Sequence, residues 1–262
     1  MIKLIASDMD GTLLDENSNL PQNFYDTLNK LNKNNKKFVI ASGRSYRSLE
    51  EIFTPYCNQL YFICDNGSYI VEPGKEPIVS IIPKDTVINI IHECEKIPNI
   101  YVILCGMKHS YYKPCSNEIE TQIFSYYNLQ KKAVSDLTSV NDDIFKIAIY
   151  DTMGSKDNSF KILYPLFGKD YKVVVSGDKW VDINNKHINK GAALKKIQED
   201  YGISYDETMA FGDFYNDIEL LQNAKYSFVM ENANEDMKQY GNFIAESNKN
   251  NGVIYAIEKY VL

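Results

Sequence analysis

The chain has 262 residues, room for one large domain or two ordinary ones, and its 44% hydrophobic and 24% charged content suits a globular protein with a real core. A net charge of −7 argues against a general basic surface for nucleic acid or anionic membrane, and no apolar run approaches the roughly 18 residues of a membrane span. The five cysteines (Cys57, Cys64, Cys94, Cys105 and Cys115) are odd in number and lack a Cys-x-x-Cys pair, so neither a disulfide framework nor a zinc site is indicated. An aspartate already at position 8 does not suit a signal peptide. The expectation is a soluble, cytoplasmic protein.

In chain order, Ile2, Leu4, Ile5 and Ala6 read as a strand that runs into Asp8-Met9-Asp10-Gly11-Thr12. Positions two apart in an extended chain point the same way, so Asp8 and Asp10 can converge, and Gly11 allows a sharp turn. Phe24, Leu28 and Leu31 keep a helical spacing after Pro21. A second strand, Phe38 to Ala41, leads into Ser42-Gly43-Arg44, and Leu49, Ile52, Phe53 and Tyr56 form the stripe of the next helix. Leu60 to Cys64 is a third strand, and this βαβαβ order implies a parallel sheet with right-handed crossovers. Tyr69–Val71 and Ile78–Ile82 flank the hairpin signal Glu72-Pro73-Gly74-Lys75.

Helical and strand-like runs then follow in mixed order. Val87, Ile90, Ile91 and Cys94 form a helical stripe, and further helices are expected over Glu118–Tyr127 and Ser155–Phe167. Strands are expected at Ile100–Cys105, Ser110–Lys113, Ile144–Tyr150, Tyr171–Ser176 and Lys179–Ile183, mainly antiparallel. From about Asn184 the βα alternation returns. Lys190-Gly191 opens a helix with Ala193, Leu194 and Ile197 on one face, and Met209-Ala210-Phe211 leads into Gly212-Asp213 and Asn216-Asp217.

In open α/β sheets, ligands bind at the carboxyl ends of strands near the switch in strand order. Asp-x-Asp, Ser-Gly-Arg and Gly-Asp at three strand ends, with a lysine at a helix start, form one site on this rule. Arg44 and Lys190 are 146 positions apart, a length that loops in compact domains do not reach. A second, α+β domain is therefore expected as an insert over 83–183, inside a doubly wound Rossmann-like parallel-sheet core made of 1–82 and 184–262.

Asp8-Met9-Asp10-Gly11-Thr12-Leu13-Leu14, Ser42-Gly43-Arg44, Lys190-Gly191 and Gly212-Asp213-Phe214-Tyr215-Asn216-Asp217 together resemble the four motifs of the haloacid dehalogenase-like hydrolases, in their Cof-type phosphatase branch. The family's Asn-Gly-Ala landmark stands here as Asn66-Gly67-Ser68. The resemblance implies a phosphatase for small phosphate monoesters, with sugar phosphates as the expected class. Asp8 is the expected nucleophile, forming an aspartyl-phosphate, and Asp10 the acid and base that serves the leaving oxygen and the water. Magnesium is the expected cofactor: Asp8 and Asp213 offer carboxylates, and the resemblance adds the main-chain carbonyl of Asp10. Met9, Ser42, Gly43, Lys190 and Asn216 are expected to hold the phosphoryl group, with Thr12, Arg44 and Asp217 in support. For Arg44, bracing the loop and reaching substrate stand open together, and Asp217 has the alternative reading of a plain helix-start carboxylate. The histidines read as ordinary, although His187 lies close to Lys190 in sequence.

Two other functions fit the same motifs. A phosphohexomutase shares the core and cap type, but no arginine occurs between Pro83 and Asp182 to grip a second phosphate. A non-catalytic binding protein keeping the fold would be expected to lose Asp8 or Asp213. The expected partners are a small phosphorylated metabolite and, at most, a small homo-oligomer of the chain. Neither nucleic acid nor membrane is expected. The insert is expected to act as a lid hinged near 82–83 and 182–185.

Overall fold

The computed structural model describes residues 1–124 and 130–262. The strands are β1 Leu4–Asp8, β2 Lys37–Ala41, β3 Tyr61–Cys64, β4 Tyr69–Val71, β5 Ile78–Val79, β6 Ile100–Gly106, β7 Ser110–Tyr112, β8 Lys131–Ala133, β9 Ile144–Asp151, β10 Tyr171–Gly177, β11 Trp180–Asn185, β12 Thr208–Gly212, β13 Tyr226–Met230 and β14 Phe243–Ala245. The helices are α1 Phe24–Lys33, α2 Tyr46–Phe53, α3 Lys84–Cys94, α4 Asn117–Phe124, α5 Ser159–Phe167, α6 Lys190–Tyr201, α7 Ile218–Gln222 and α8 Gly252–Tyr260. They divide into two compact units, Met1–Ile78 with Asn189–Leu262, and Val79–Ile188. No helix among the described residues is long and apolar enough to cross a membrane.

The first unit is built on a sheet of order β14-β13-β12-β1-β2-β3-β4-β5. Pairing is parallel from β14 to β3, and β4 runs antiparallel to β3. Strands buried on both faces need apolar residues at every position. Here alternate residues feed two cores. Ile5, Phe38, Ile40, Phe62 and Phe211 meet α1, α2 and α8 on one face, while Leu4, Ala6, Val39, Ile63 and Ala210 meet α6 and α7 on the other. From β1 the chain builds outward to β2 and β3, then returns to add β12 on the other side of β1. The switch in strand order therefore lies between β1 and β12. In register, Ser7 stands beside Phe211 and Asp8 beside Ala41, so the carboxyl ends of β1, β2 and β12 lie level.

The second unit has its own six-stranded sheet, order β10-β11-β9-β6-β7-β8, antiparallel except for the β7–β8 pair. Central β9 is buried along its whole length. Val87, Ile90 and Ile91 of α3 and Leu163 and Phe167 of α5 complete its core with Leu104, Ile147 and Val181.

Several element limits differ from the sequence reading. Helix α2 stops at Phe53 rather than reaching Tyr56, because Pro55 keeps Thr54 out of the helical region (φ −63°, ψ 131°). Helix α5 starts at Ser159 rather than Ser155, with the Asp151 carboxylate accepting the Ser159 N–H at 2.9 Å. Strand β5 ends at Val79, short of Ile82. The short strand β8 had no sequence signal, since Lys131-Lys132-Ala133 is exposed and polar. The end of the expected helix, Ser125–Tyr127, lies outside the described residues. The second unit reaches beyond the 83–183 interval at both ends. Ile82 N–H donates to Ile144 O at 2.7 Å, and the Asn185 amide donates to Ser80 Oγ and Ile81 O at 2.9 and 3.0 Å, so both connecting segments bond into it.

Phe62 is fully buried against Phe53 and Tyr46. Truncating such a ring leaves a cavity as well as losing transfer energy, about 3–5 kcal/mol in all. F62A is expected to lower the unfolding free energy measured by urea titration by that amount, with an unchanged far-ultraviolet circular dichroism spectrum.

Candidate active site

Asp8 is the last residue of β1, and the chain then makes one wide turn over Met9–Leu13, closed by Leu14 N–H to Met9 O at 2.9 Å. Gly11 sits in this turn at φ +83°. A Cβ there would lie 2.4 Å from Asp213 Oδ2, so glycine meets two demands, a left-handed backbone and the close approach of a carboxylate from β12's end. The turn is tied down from behind. Asn232 donates to Gly11 O and Asn248 to Leu14 O, each at 2.8 Å, and Asn248 N–H donates to Asn232 Oδ1 at 3.0 Å.

Lys190 starts α6, whose cap is Asn189, accepting the Ala192 N–H at 2.7 Å. The Lys190 ammonium is wholly buried and donates to Asp8 Oδ1 at 2.5 Å and Asp217 Oδ1 at 2.6 Å. Asp217 Oδ2 accepts the main-chain N–H groups of Asp213 and Phe214, both at 3.1 Å. Thr12 Oγ1 donates to Asp213 Oδ1 at 2.7 Å, a charge-assisted bond worth about 1.5–3 kcal/mol. Asp217 is thus a strut for Lys190 and for the segment that carries Asp213, which is more than the helix-start carboxylate of its plainer reading.

Carboxylate oxygens of Asp8, Asp213 and Asp217 lie within 4.8 Å of one another. Three carboxylates, two of them buried and Asp213 half-buried, gather about one buried ammonium. Burial, then repulsion from Asp217, holds the Asp8 carboxyl well above its ordinary range despite Lys190. Burial likewise raises Asp213, against the pull of the Thr12 bond. Burial alone would lower Lys190, but Asp8 and Asp217 outweigh it and keep the ammonium charged. Excess negative charge, hard oxygen donors and no sulfur or imidazole in the group fit a divalent cation of the magnesium type.

The remaining expected residues fall around this centre with two departures. Ser42 is buried, and its hydroxyl accepts the Arg44 N–H at 3.1 Å, bracing its own loop. Gly43 lies beside Asn66, where a Cβ would stand 3.2 Å from Asn66 Nδ2. The Met9 side chain is wholly buried in the apolar core, leaving only its main chain for ligand binding. Asp10 does not point with Asp8: its carboxylate turns outward and is gripped by Arg44, Nε to Oδ2 at 2.9 Å and Nη2 to Oδ1 at 2.5 Å. The turn at Met9 breaks the extended backbone on which the two-apart rule depends. His187 is exposed in the segment after β11.

Asn66 was noted in the Asn66-Gly67-Ser68 landmark but was given no role at the site. It accepts from Asn216 Nδ2 at 3.0 Å, and its N–H donates to Ser42 O at 3.0 Å. The available signal was Asn-Gly directly after a strand, a turn pair in any sequence.

A profile described as haloacid dehalogenase-like hydrolase matches residues 5–257. The chain belongs to the haloacid dehalogenase-like hydrolases. Within them it is of the Cof type and is a phosphoric monoester hydrolase. This hydrolase is 30% identical over 260 residues to the 5-amino-6-(5-phospho-D-ribitylamino)uracil phosphatase YbjI of Escherichia coli, covering 98% of this chain and 96% of that one. To the phosphatase of the same description, YitU of Bacillus subtilis, it is 25% identical, covering 98% and 97%. Among solved structures, SMU.1108c of Streptococcus mutans is 30% identical with a TM-score of 0.84, covering 100% and 99%. TM0651 of Thermotoga maritima is 25% identical with a TM-score of 0.90, covering 100% and 98%.

G11A is expected to cut kcat/KM by at least about a hundredfold, because a misplacement near 1 Å at a reacting centre costs that much. Restoration of Asp213 geometry by small backbone shifts would instead leave turnover near the parent value in a steady-state assay.

Proposed function

We propose that this hydrolase cleaves phosphate monoesters of primary alcohols on sugars and sugar alcohols, by way of an aspartyl-phosphate on Asp8 and with magnesium bound. What carries the reading is the Asp8–Lys190–Asp217 cluster at the strand switch, facing Asp213 on the neighbouring strand end. The substrate class draws on the named substrate of the Escherichia coli and Bacillus subtilis relatives, a five-carbon alditol chain bearing a phosphate. It also covers the sugar phosphates that the motifs suggest.

In this reading the Asp8 carboxylate attacks phosphorus and the ester P–O bond breaks. Lys190 orients Asp8 and opposes the rise that burial imposes on its carboxyl, and a bound divalent cation would favour the ionised form that attacks. The Asp10 carboxyl gives its proton to the departing alkoxide oxygen. Water then attacks the same phosphorus, gives its proton to Asp10, and breaks the bond to Asp8. Asp10 must leave Arg44 to do this, which makes Arg44 the residue that parks the acid at the rim. The Ser42 hydroxyl, the Gly43 N–H and an Asn216 amide hydrogen are the donors for phosphoryl oxygens, assisted by the start of α2. Asp8 and Asp213, with the Asp10 carbonyl, would hold magnesium, which neutralises phosphoryl charge when bound. The unit Val79–Ile188 is assigned the role of cap, choosing the leaving group. A phosphohexomutase would need a second phosphate grip, for which the cap interval supplies no arginine.

D8N is expected to lose nearly all of an acceleration of about 10⁶ or more, and D10N about 10² to 10⁴, both while folded. Turnover of D8N within tenfold of the parent would remove Asp8 as nucleophile.

A chelator should abolish hydrolysis and added magnesium restore it. Full activity in excess chelator would exclude the metal. A panel of ribitylaminouracil phosphate, hexose 6-phosphates and a folded phosphoprotein should show small esters preferred by at least about a hundredfold, as expected when a cap excludes macromolecules.

A further inference from the structure

Residues Asp65, Asn66 and Gly67 follow β3 with φ of 47°, 55° and 106°. Two non-glycine residues in succession in the left-handed region are costly and persist only where their surroundings fix them. Those surroundings are the other phosphate-side loops. Asp65 N–H donates to Arg44 O and Asn66 N–H to Ser42 O, both at 3.0 Å. Gly67 lies against the cap of α6, where a Cβ would stand 2.4 Å from Asn189 O. The half-buried Asn66 side chain lies over Gly43, and its Oδ1 accepts Asn216 Nδ2 at 3.0 Å. One short turn therefore touches the segments of Ser42-Gly43, Asn189-Lys190 and Asn216, which come from three distant parts of the chain.

We propose that Asn66 is a positioning residue for phosphoryl binding, acting through Asn216. The inference rests on the reading that Asn216 donates to a phosphoryl oxygen. A carboxamide nitrogen has two hydrogens. Asn66 Oδ1 takes one of them, which fixes the plane of the Asn216 amide and leaves the second hydrogen in a set direction. Asn216 is otherwise exposed at the start of the segment leading to α7, where a free amide would rotate. Asn66 supplies order to the donor and touches no reacting atom. Its loss should weaken phosphate binding more than the chemical step.

The test uses Asn66→Gly, which keeps the left-handed backbone without strain and removes only the side chain, with Asn216→Ala and the double variant. KM for a hexose 6-phosphate and the inhibition constant of inorganic phosphate are measured with magnesium present. For N66G both should rise about tenfold, as for a weakened hydrogen bond to an anion, with kcat falling less than threefold. N216A should raise them at least as much, and adding N66G to it should change them less than twofold. N216A effective with N66G silent, additive, or acting on kcat alone would overturn the role of Asn66. N216A without effect would overturn it together with the reading of Asn216, while the D8N and chelator results would still stand by themselves.

Discussion

The site depends on one buried ammonium. Lys190 has no solvent of its own, and its charge is satisfied by Asp8 on β1 and Asp217 before α7. Breaking a buried pair by removing one partner costs about 3–5 kcal/mol, because the other charge is left uncompensated. The positions of β1, α6 and the β12 end are therefore coupled through a single nitrogen. Glycines make the coupling geometrically possible. A Cβ on Gly191 would lie 2.2 Å from Glu219 O, so α6 can lie this close to α7 only because that residue has no side chain.

The charge balance of this cluster bears on the chemistry proposed for it. One ammonium cannot neutralise three carboxylates, and the bonds that Asp217 makes to Lys190 and to two main-chain N–H groups use most of its capacity. Asp8 and Asp213 keep the unmet demand. On the proposed reading, a cation and a phosphoryl group would bring opposite charges to the same place, so each would make the binding of the other more favourable.

Much of this was readable from residue order. The strand ends at Asp8, Ala41 and Gly212 followed from short apolar runs broken by polar clusters, since a parallel strand needs both faces apolar and a site needs neither. The expectation of an insert followed from the 146 positions that separate Arg44 from Lys190, two residues expected at one site. The outward turn of Asp10 was not readable, because the two-apart rule assumes extended backbone and the turn begins at Met9, between the two aspartates. Strand β8 was hidden because an exposed edge strand has no apolar alternation to detect. Asn66 carried a landmark but no role in the sequence, because its contacts are to residues 24 and 150 positions away, Ser42 and Asn216. Its own sequence neighbourhood reads as any tight turn.

The left-handed run at 65–67 sets a limit on how freely this chain can vary. Asparagine and aspartate tolerate that backbone region and glycine is at ease in it, whereas a β-branched residue is a strong outlier there. Gly67 is further confined by the main chain of Asn189. Of the segments near the phosphate side, this turn has the smallest alphabet available to it on backbone grounds alone. Mutational tolerance at 66 and 67 should therefore be narrower than at surface-facing positions such as Phe214, even though neither residue donates or accepts anything in the chemical step.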